Sequence, residues 1–374
     1  MLPDAASFLI SEDCNMACDY CFEHPRRFRQ AMTEEVARMA LDMLAQNAQK
    51  NGTRRINVTF FGGEPLLNWP VTKFILEYMV RLKGSKRVDG IGGTLITNGT
   101  LLKDEWLDYF KKNAKRNGLN IQLSIDGTQR VHDKHRVFPN GKGTYEAIMK
   151  NVPRWLELGE NVVHVHSVFN LDTIKYMYES YLSFREMGFR DIWFLPIPYL
   201  PYSSQNVEEY EEQLTKIKDD IVREYRETRN PDLKQGYAPL DRGWKNPCGF
   251  SKPCGAGVNY VSVTASGDIY PCHHFYYQDP EHHTKIGDVY TGVDEQRRLI
   301  YVEYDHSDLS CGLNKECENF NCYRCISDNY EMSGSIFTNP MGMRCAISSV
   351  ERRLMKSFTE ELETIDQGEK NEHP

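Results

Sequence analysis

Cys14, Cys18 and Cys21 lie close together in the run EDCNMACDYCFEHP near the amino terminus. Three thiolates on one tight loop can take three corners of a four-iron, four-sulfur cube and leave one iron open to a small chelating ligand. Tyr20 and Phe22 flank the last thiol and can cover the metal. A zinc knuckle with a remote fourth ligand is the competing use of the same three residues. The other eight of the eleven cysteines, Cys248, Cys254, Cys272, Cys311, Cys317, Cys322, Cys325 and Cys345, make two complete tetrads with none left over. Four thiolates suit an enclosed iron-sulfur cluster and suit a zinc ribbon equally well.

The elements that must position these groups are legible as apolar runs. Short strands are expected at Ser7–Ile10, Asn57–Phe61, Gly93–Thr97, Ile121–Ser124, Val162–Val168 and Asp191–Ile197. Between the first two, Thr33 is an expected helix N-cap, with Glu34 and Glu35 at the positive end of the dipole. Val36, Met39, Ala40, Met43 and Leu44 follow at helical spacing. Further helices are expected over 71–82, 103–116, 143–158 and 172–187. Six β/α repeats with right-handed crossovers place the helices on one side and the chemistry at the carboxyl ends of the strands. The cysteine loop follows the first strand, Gly62-Gly63-Glu64-Pro65 the second, and Thr97-Asn98-Gly99 the third.

His164 and His166 alternate with Val163, Val165 and Val168 on the fifth strand. With the valines toward the helices, both imidazoles face the lumen, where they can contact substrate or relay protons; satisfied structural histidines are the alternative. A long amphipathic helix runs through Val207, Tyr210, Leu214, Ile217, Ile221 and Tyr225. From about Arg229 the chain turns to Gly, Pro, Cys and Asn, a composition that needs metal staples. Within it, NYVSVTASGDIYPC reads as a hairpin with a turn at Ser266-Gly267-Asp268, and the polar stretch from Thr364 reads as a frayed tail.

The chain has 374 residues and a net charge of −8, with its Lys and Arg scattered, so no electrostatic footprint for nucleic acid is present. No apolar run approaches the ~20 residues of a membrane span, and the first residues lack a signal peptide. A cytoplasmic location is expected. In that reducing compartment, closely spaced cysteines read as metal ligands rather than disulfides.

The Cys14-x3-Cys18-x2-Cys21 spacing, with Tyr20 just before the third cysteine, resembles the radical S-adenosylmethionine (SAM) superfamily. The resemblance implies an α/β fold, a partial (β/α)6 barrel followed by a small cysteine-rich C-terminal domain stapled by iron-sulfur clusters. It also implies that the cofactor chelates the open iron and is split by one electron to a 5′-deoxyadenosyl radical that removes hydrogen from substrate. Gly62, Gly63 and Glu64 resemble the loop that receives the cofactor's amino group. Ser124 matches the ribose contact, with Asp126 beside it in LSIDG. Arg136, in HDKHR, resembles the partner of the cofactor carboxylate, and Asn98 lies in the family's TNG turn. Tyr20 and Leu195 complete the implied cofactor set.

The later cysteines resemble the SPASM extension of radical enzymes that modify peptides, with two auxiliary four-iron clusters. By order, Cys248, Cys254, Cys272 and Cys325 would hold the first, and Cys311, Cys317, Cys322 and Cys345 the second. The later spacings depart from the commoner pattern and leave a swap of partners open. The expected domains are 1–235 for the barrel with its bridging helix, 236–350 for the SPASM module, and 351–374 for a C-terminal helix and tail.

The implied substrate is a ribosomally made precursor peptide, and the implied reductant a flavodoxin or ferredoxin. Sulfatase-maturating enzymes, which oxidise serine or cysteine to formylglycine, resemble this chain in length. They carry an aspartate after the third auxiliary cysteine, where this chain has His273 and then His274. The Pro-Cys-His arrangement looks closer to maturases that join a cysteine sulfur to carbon, so a thioether crosslink is the expected outcome and His273 the expected base. Carbon–carbon crosslinking, cyclopropane formation and epimerisation stay open. With thirteen residues before Cys14, leader recognition is expected from a separate protein, the barrel rim, or segments such as the acidic helix 207–228.

Overall fold

The computed structural model describes residues 1–23, 29–197, 200–230, 232–233, 255–279, 281–303, 325–337 and 343–372. They fall into two compact units. One comprises the described residues within Met1–Ile125, His132–His164 and Cys254–Tyr304, the other those within Asp126–Val131, Val165–Pro253 and Asp305–Pro374.

The first unit is built on β1 (Ala5–Leu9), β2 (Arg55–Phe61), β3 (Gly90–Thr97) and β4 (Leu119–Ser124), all parallel. Each is the strand expected from the sequence, shifted by a few residues. They alternate with α1 (Glu34–Asn51), α2 (Trp69–Gly84) and α3 (Asp104–Asn113). Thr33 caps α1 as expected, its Oγ1 accepting from the Val36 amide at 3.2 Å. Gly52, at φ +74°, ends the helix by donating its N–H to Gln49. Val36, Ala40, Leu41 and Leu44 are buried.

Register assigns two unlike faces to this sheet. Ile56, Val58 and Phe60 of β2 are buried, whereas Arg55, Asn57, Thr59 and Phe61 are exposed or half-buried. Ser7, Thr59, Thr94 and Asn120 are successive cross-strand partners and share the second, polar face. The loops that leave its carboxyl edge carry the site.

The expected hairpin is β7 (Tyr260–Val263) and β8 (Asp268–Tyr270), closed by Gly267 at φ +94°. β7 pairs in parallel with β1, from Ala5↔Tyr260 to Phe8↔Val263, a long-range pairing that the sequence does not announce. Beyond it, α9 (His273–Gln278) follows Cys272 directly. The unit closes with β9 (Gly287–Asp288), β10 (Gly292–Val293) and α10 (Glu295–Glu303).

Several helices differ from expectation. The single helix expected over 143–158 is two short ones, Tyr145–Met149 and Val152–Leu156, because Pro153 removes a donor and crowds the turn before it. The helix expected over 103–116 ends at Asn113, followed by a 3-10 turn and Gly118 in the left-handed region.

In the second unit, β5 (Val163–Phe169), which begins in the first, runs parallel to β6 (Ile192–Pro196). Helices at Met177–Met187, Ser204–Thr228, Ile326–Ser333 and Met343–Glu372 complete it. A reciprocal Ser203–Asn206 capping box starts the long Ser204–Thr228 helix, and Tyr210, Leu214, Ile217, Ile221 and Tyr225 are its buried stripe. The frayed tail expected from Thr364 is instead helical to Glu372. Tyr225 donates its hydroxyl to Asp366 at 2.6 Å and Lys218 pairs with Glu361, which holds the last turns on the long helix. Among the described residues, no helix is long and apolar enough to cross a membrane.

Candidate cofactor and active site

The cysteine loop leaves β1 and is held on three sides within the first unit. Ala17 donates its N–H to the Val137 carbonyl at 2.7 Å and Asp19 donates to that of His135 at 3.2 Å. The Asp19 carboxylate meets His135 Nδ1 at 2.8 Å, and the Arg136 guanidinium lies 5.4 Å from the centre of the Tyr20 ring. Arg136 is therefore brought to the loop, buried at its edge. Cys14, Cys18 and Cys21 are each half-buried. Asn98 Nδ2 lies 3.8 Å from Cys14 Sγ and donates to Asn15 Oδ1 at 2.9 Å, so the TNG turn holds the first thiol. Asn151 in turn holds that turn by donating to the Gly99 and Thr100 carbonyls.

The glycine turn forms a second side. A Cβ on Gly63 would sit 2.1 Å from the Asp13 carbonyl oxygen, and one on Gly62 would sit 2.7 Å from that of Ser11. Gly62 also has φ +89°, a backbone state that favours glycine. Only two bare Cα atoms let this turn lie against the residues that lead into Cys14, and the Glu64 N–H seals it by donating to Asp13 at 2.9 Å.

Glu64 is fully buried and turned inward. Its Oε1 accepts from the Leu66 amide at 3.0 Å and the Thr97 hydroxyl at 2.9 Å, and its Oε2 accepts from the Asn98 amide at 2.8 Å. Burial pushes its carboxyl up to about 7, against the pull of those three donors. As it stands, the carboxylate ties the GGEP turn to the TNG turn.

The third side is α9, of which the sequence announces only His273 and His274. Tyr276 donates its hydroxyl to buried Glu12 at 2.8 Å, and Tyr277 donates to buried Glu23 at 3.1 Å, so the helix grips both ends of the cysteine loop. Phe22 stacks on His274, ring centres 4.3 Å apart, and Phe61 meets His273 at the same distance. His273 Nδ1 is buried and has no hydrogen-bond partner among the described residues. Burial first, and the neighbouring His274 second, hold the His273 imidazole well below the ordinary histidine range, so the ring is neutral.

The remaining expected residues are placed less closely. Ser124 is half-buried on the polar face at the end of β4, and His164 Nε2 meets Gln122 Oε1 at 3.4 Å. Within the second unit, Asp126 Oδ1 accepts the Val168 N–H at 2.9 Å, and Leu195 is exposed on β6. His166 is half-buried. Val163 and Val165 are buried as expected, but Val168 falls on the histidine face, since strand alternation puts 164, 166 and 168 together.

Cys272 and Cys325 each occupy a helix N-cap, where the dipole favours a thiolate, and Cys345 lies in the last helix. Cys248, Cys254, Cys311, Cys317 and Cys322 lie outside the described residues.

Residues 8–182 match the model of the radical SAM superfamily. The chain carries a radical SAM domain. The chain is 26% identical over 328 residues to a cysteine-type anaerobic sulfatase-maturating enzyme of Clostridium novyi (strain NT), a match that covers 84% of this chain and 83% of that relative. It is 27% identical over 349 residues to a serine-type enzyme of Bacteroides thetaiotaomicron, covering 82% and 77%. Its fold is shared with the structure of native anSMEcpe with bound AdoMet and Cp18Cys peptide, at TM-score 0.73 and 17% identity over 97% of this chain and 99% of that one.

A radical SAM domain implies a four-iron cluster and S-adenosylmethionine, and the residues present fit both. Three half-buried thiols on one loop are the donor set for three irons. Beside the thiols lies the bare Gly62-Gly63 cradle.

Proposed function

We propose that this chain is a radical SAM enzyme that oxidises a side chain within a peptide or protein segment by two electrons. The likeness over most of both chains to enzymes named as sulfatase-maturating supports the substrate class. The observation that carries the chemistry is His273, a neutral imidazole with one buried nitrogen that has no partner among the described residues, seated on the aromatic cover of the cysteine loop.

Cys14, Cys18 and Cys21 would hold the cluster, with the Gly62-Gly63 turn, Arg136 and Ser124 around S-adenosylmethionine. When bound, this pair supplies one-electron cleavage of the sulfonium and removal of a hydrogen atom from an unactivated carbon. Tyr20 and Phe22, which flank the third thiol, would help to shield the bound group from water. The carbon radical left behind must then lose an electron, and the thiol of the reacting cysteine a proton. His273 Nδ1 is the acceptor we assign to the proton. The later cysteines, Cys272 among them, would hold auxiliary clusters able to accept the electron.

Two products fit this balance. Oxidation of cysteine to formylglycine, with water entering and the sulfur leaving as sulfide, is favoured by the extent of the likeness. A thioether, in which a cysteine thiol loses its hydrogen and bonds to the oxidised carbon, is favoured by His273-His274 standing where the sulfatase enzymes carry aspartate. Each enzyme would need a flavodoxin- or ferredoxin-type reductant. The test is anaerobic reaction of the reconstituted enzyme with two peptides, one from a sulfatase and one cysteine-rich, read by mass spectrometry. Loss of sulfur marks formylglycine; loss of two hydrogens with sulfur retained and the thiol masked marks the crosslink. Turnover of neither, with S-adenosylmethionine cleaved normally, would remove the peptide-oxidase reading.

A further inference from the structure

Glu23 is buried two residues after the last cysteine of the loop, and a single oxygen of it serves two donors. Glu23 Oε2 accepts the Gly63 amide N–H at 2.7 Å and the Tyr277 hydroxyl at 3.1 Å. The first bond is short enough to fix the plane of the Gly62–Gly63 peptide. In a planar peptide the C=O and N–H point in opposite directions, so pinning the Gly63 N–H on Glu23 turns the Gly62 carbonyl away from it. Gly62 is buried, yet among the described residues nothing donates to its carbonyl. A carbonyl on a buried residue with no donor among the described residues is an acceptor held in reserve.

We propose that Tyr277, acting through Glu23, is a positioning residue that aims the Gly62 carbonyl at the α-ammonium of S-adenosylmethionine. The inference rests on reading the Gly62-Gly63 turn as the cofactor cradle. Tyr277 matters because its hydroxyl shares with the Gly63 N–H the one carboxylate oxygen that holds this peptide. The tyrosine hydroxyl and the peptide N–H converge on Oε2, so the tyrosine helps to hold that oxygen where the N–H meets it. Tyr277 itself is immobile, 1% exposed on a helix that begins just after Cys272 and edge-on to Phe22, ring centres 5.6 Å apart. The direction of one backbone carbonyl is thus set by a side chain 254 residues away from the carboxylate it holds.

The test compares binding of S-adenosylmethionine with binding of its analogue lacking the α-amino group, on the reconstituted holoenzyme. Glu23→Ala is expected to weaken S-adenosylmethionine about tenfold and Tyr277→Phe about threefold, while the desamino analogue changes by less than about twofold, since only the ammonium loses its acceptor. Glu23→Gln keeps an oxygen for the Gly63 N–H and is expected to bind both like the parent. The change that S-adenosylmethionine makes in the EPR spectrum of the reduced cluster should shrink in step with affinity. Should Glu23→Ala load too little iron to assay, Tyr277→Phe and Glu23→Gln decide between them. Equal weakening of both ligands, or no weakening in Tyr277→Phe, overturns the proposal. No peptide enters this experiment, so its failure is separable from failure of the peptide-oxidase reading.

Discussion

The side-chain amide of Asn98 donates to the sulfur of Cys14 across 3.8 Å, joining the turn after β3 to the loop after β1. A donor to a cluster thiolate favours the reduced, more negative state and so raises the reduction potential. Asn98→Ala is expected to lower the midpoint potential of the SAM-binding cluster by an amount on the order of tens of millivolts. Redox titration followed by EPR measures it, and an unchanged potential would mean that the amide serves only Asn15 and Thr100.

The glycine turn makes a steric prediction with an internal control. Gly63→Ala forces a methyl to within 2.1 Å of a backbone oxygen that cannot swing aside, a cost of about 1–3 kcal/mol that the turn must meet by moving off the cysteine loop. Iron incorporated on reconstitution should fall accordingly. Gly52 at the end of α1 has positive φ, but a Cβ there would meet no atom within 4 Å, so Gly52→Ala should cost about 1 kcal/mol and leave iron loading intact. Equal iron loading in the two variants would show that the close approach is dispensable.

These two sites also show how far a sequence can be read. Cys14, Cys18, Cys21, Gly62, Gly63 and the Thr33 cap are legible because their signals are local: fixed spacings, a turn that needs glycine, a hydroxyl before a helical stripe. The strands are legible as apolar runs, whereas apolar periodicity carries a single helix across Pro153, although the proline marks the break in the sequence. Glu12 and Glu23 flank the cysteine loop in plain view, but their partners Tyr276 and Tyr277 are 264 and 254 residues away. The parallel pairing of β7 with β1, which brings α9 into the same unit, has no local signature at all. The expectation for Val168 fails for a simpler reason, an error of parity along β5.

Glu64 gives the pH dependence its sign. Its folded value, about 7, lies above the ordinary 4.5. The folded state therefore binds its proton more tightly than the unfolded state, and the stability this contributes is present at low pH and lost as pH rises through about 7. Urea midpoints of the reconstituted enzyme without S-adenosylmethionine should decline from about pH 4.5 to about pH 7 and level off above it, and Glu64→Gln should flatten that decline. A ligand ammonium near the turn would favour the ionised carboxyl, so binding near neutral pH should release protons, measurable by calorimetry in buffers of different ionisation enthalpy. A decline of the same size in Glu64→Gln would assign it to another group.

His273 separates hydrogen abstraction from the later proton transfer. Its ring lies against Phe61 and Phe22 and not among the Gly62-Gly63 contacts, so replacing it should spare the first half of the reaction. In His273→Ala, 5′-deoxyadenosine is expected to form at close to the parent rate, while oxidised peptide falls about a hundredfold for want of a proton acceptor. His273→Asp restores an acceptor at the same place and should recover part of the product, whereas His273→Phe fills the volume without one and should not. The ratio of oxidised peptide to 5′-deoxyadenosine is the readout, because a packing defect would lower both together. A ratio that stays constant across all three variants would reduce His273 to a filler of the aromatic cover and leave the proton to another group.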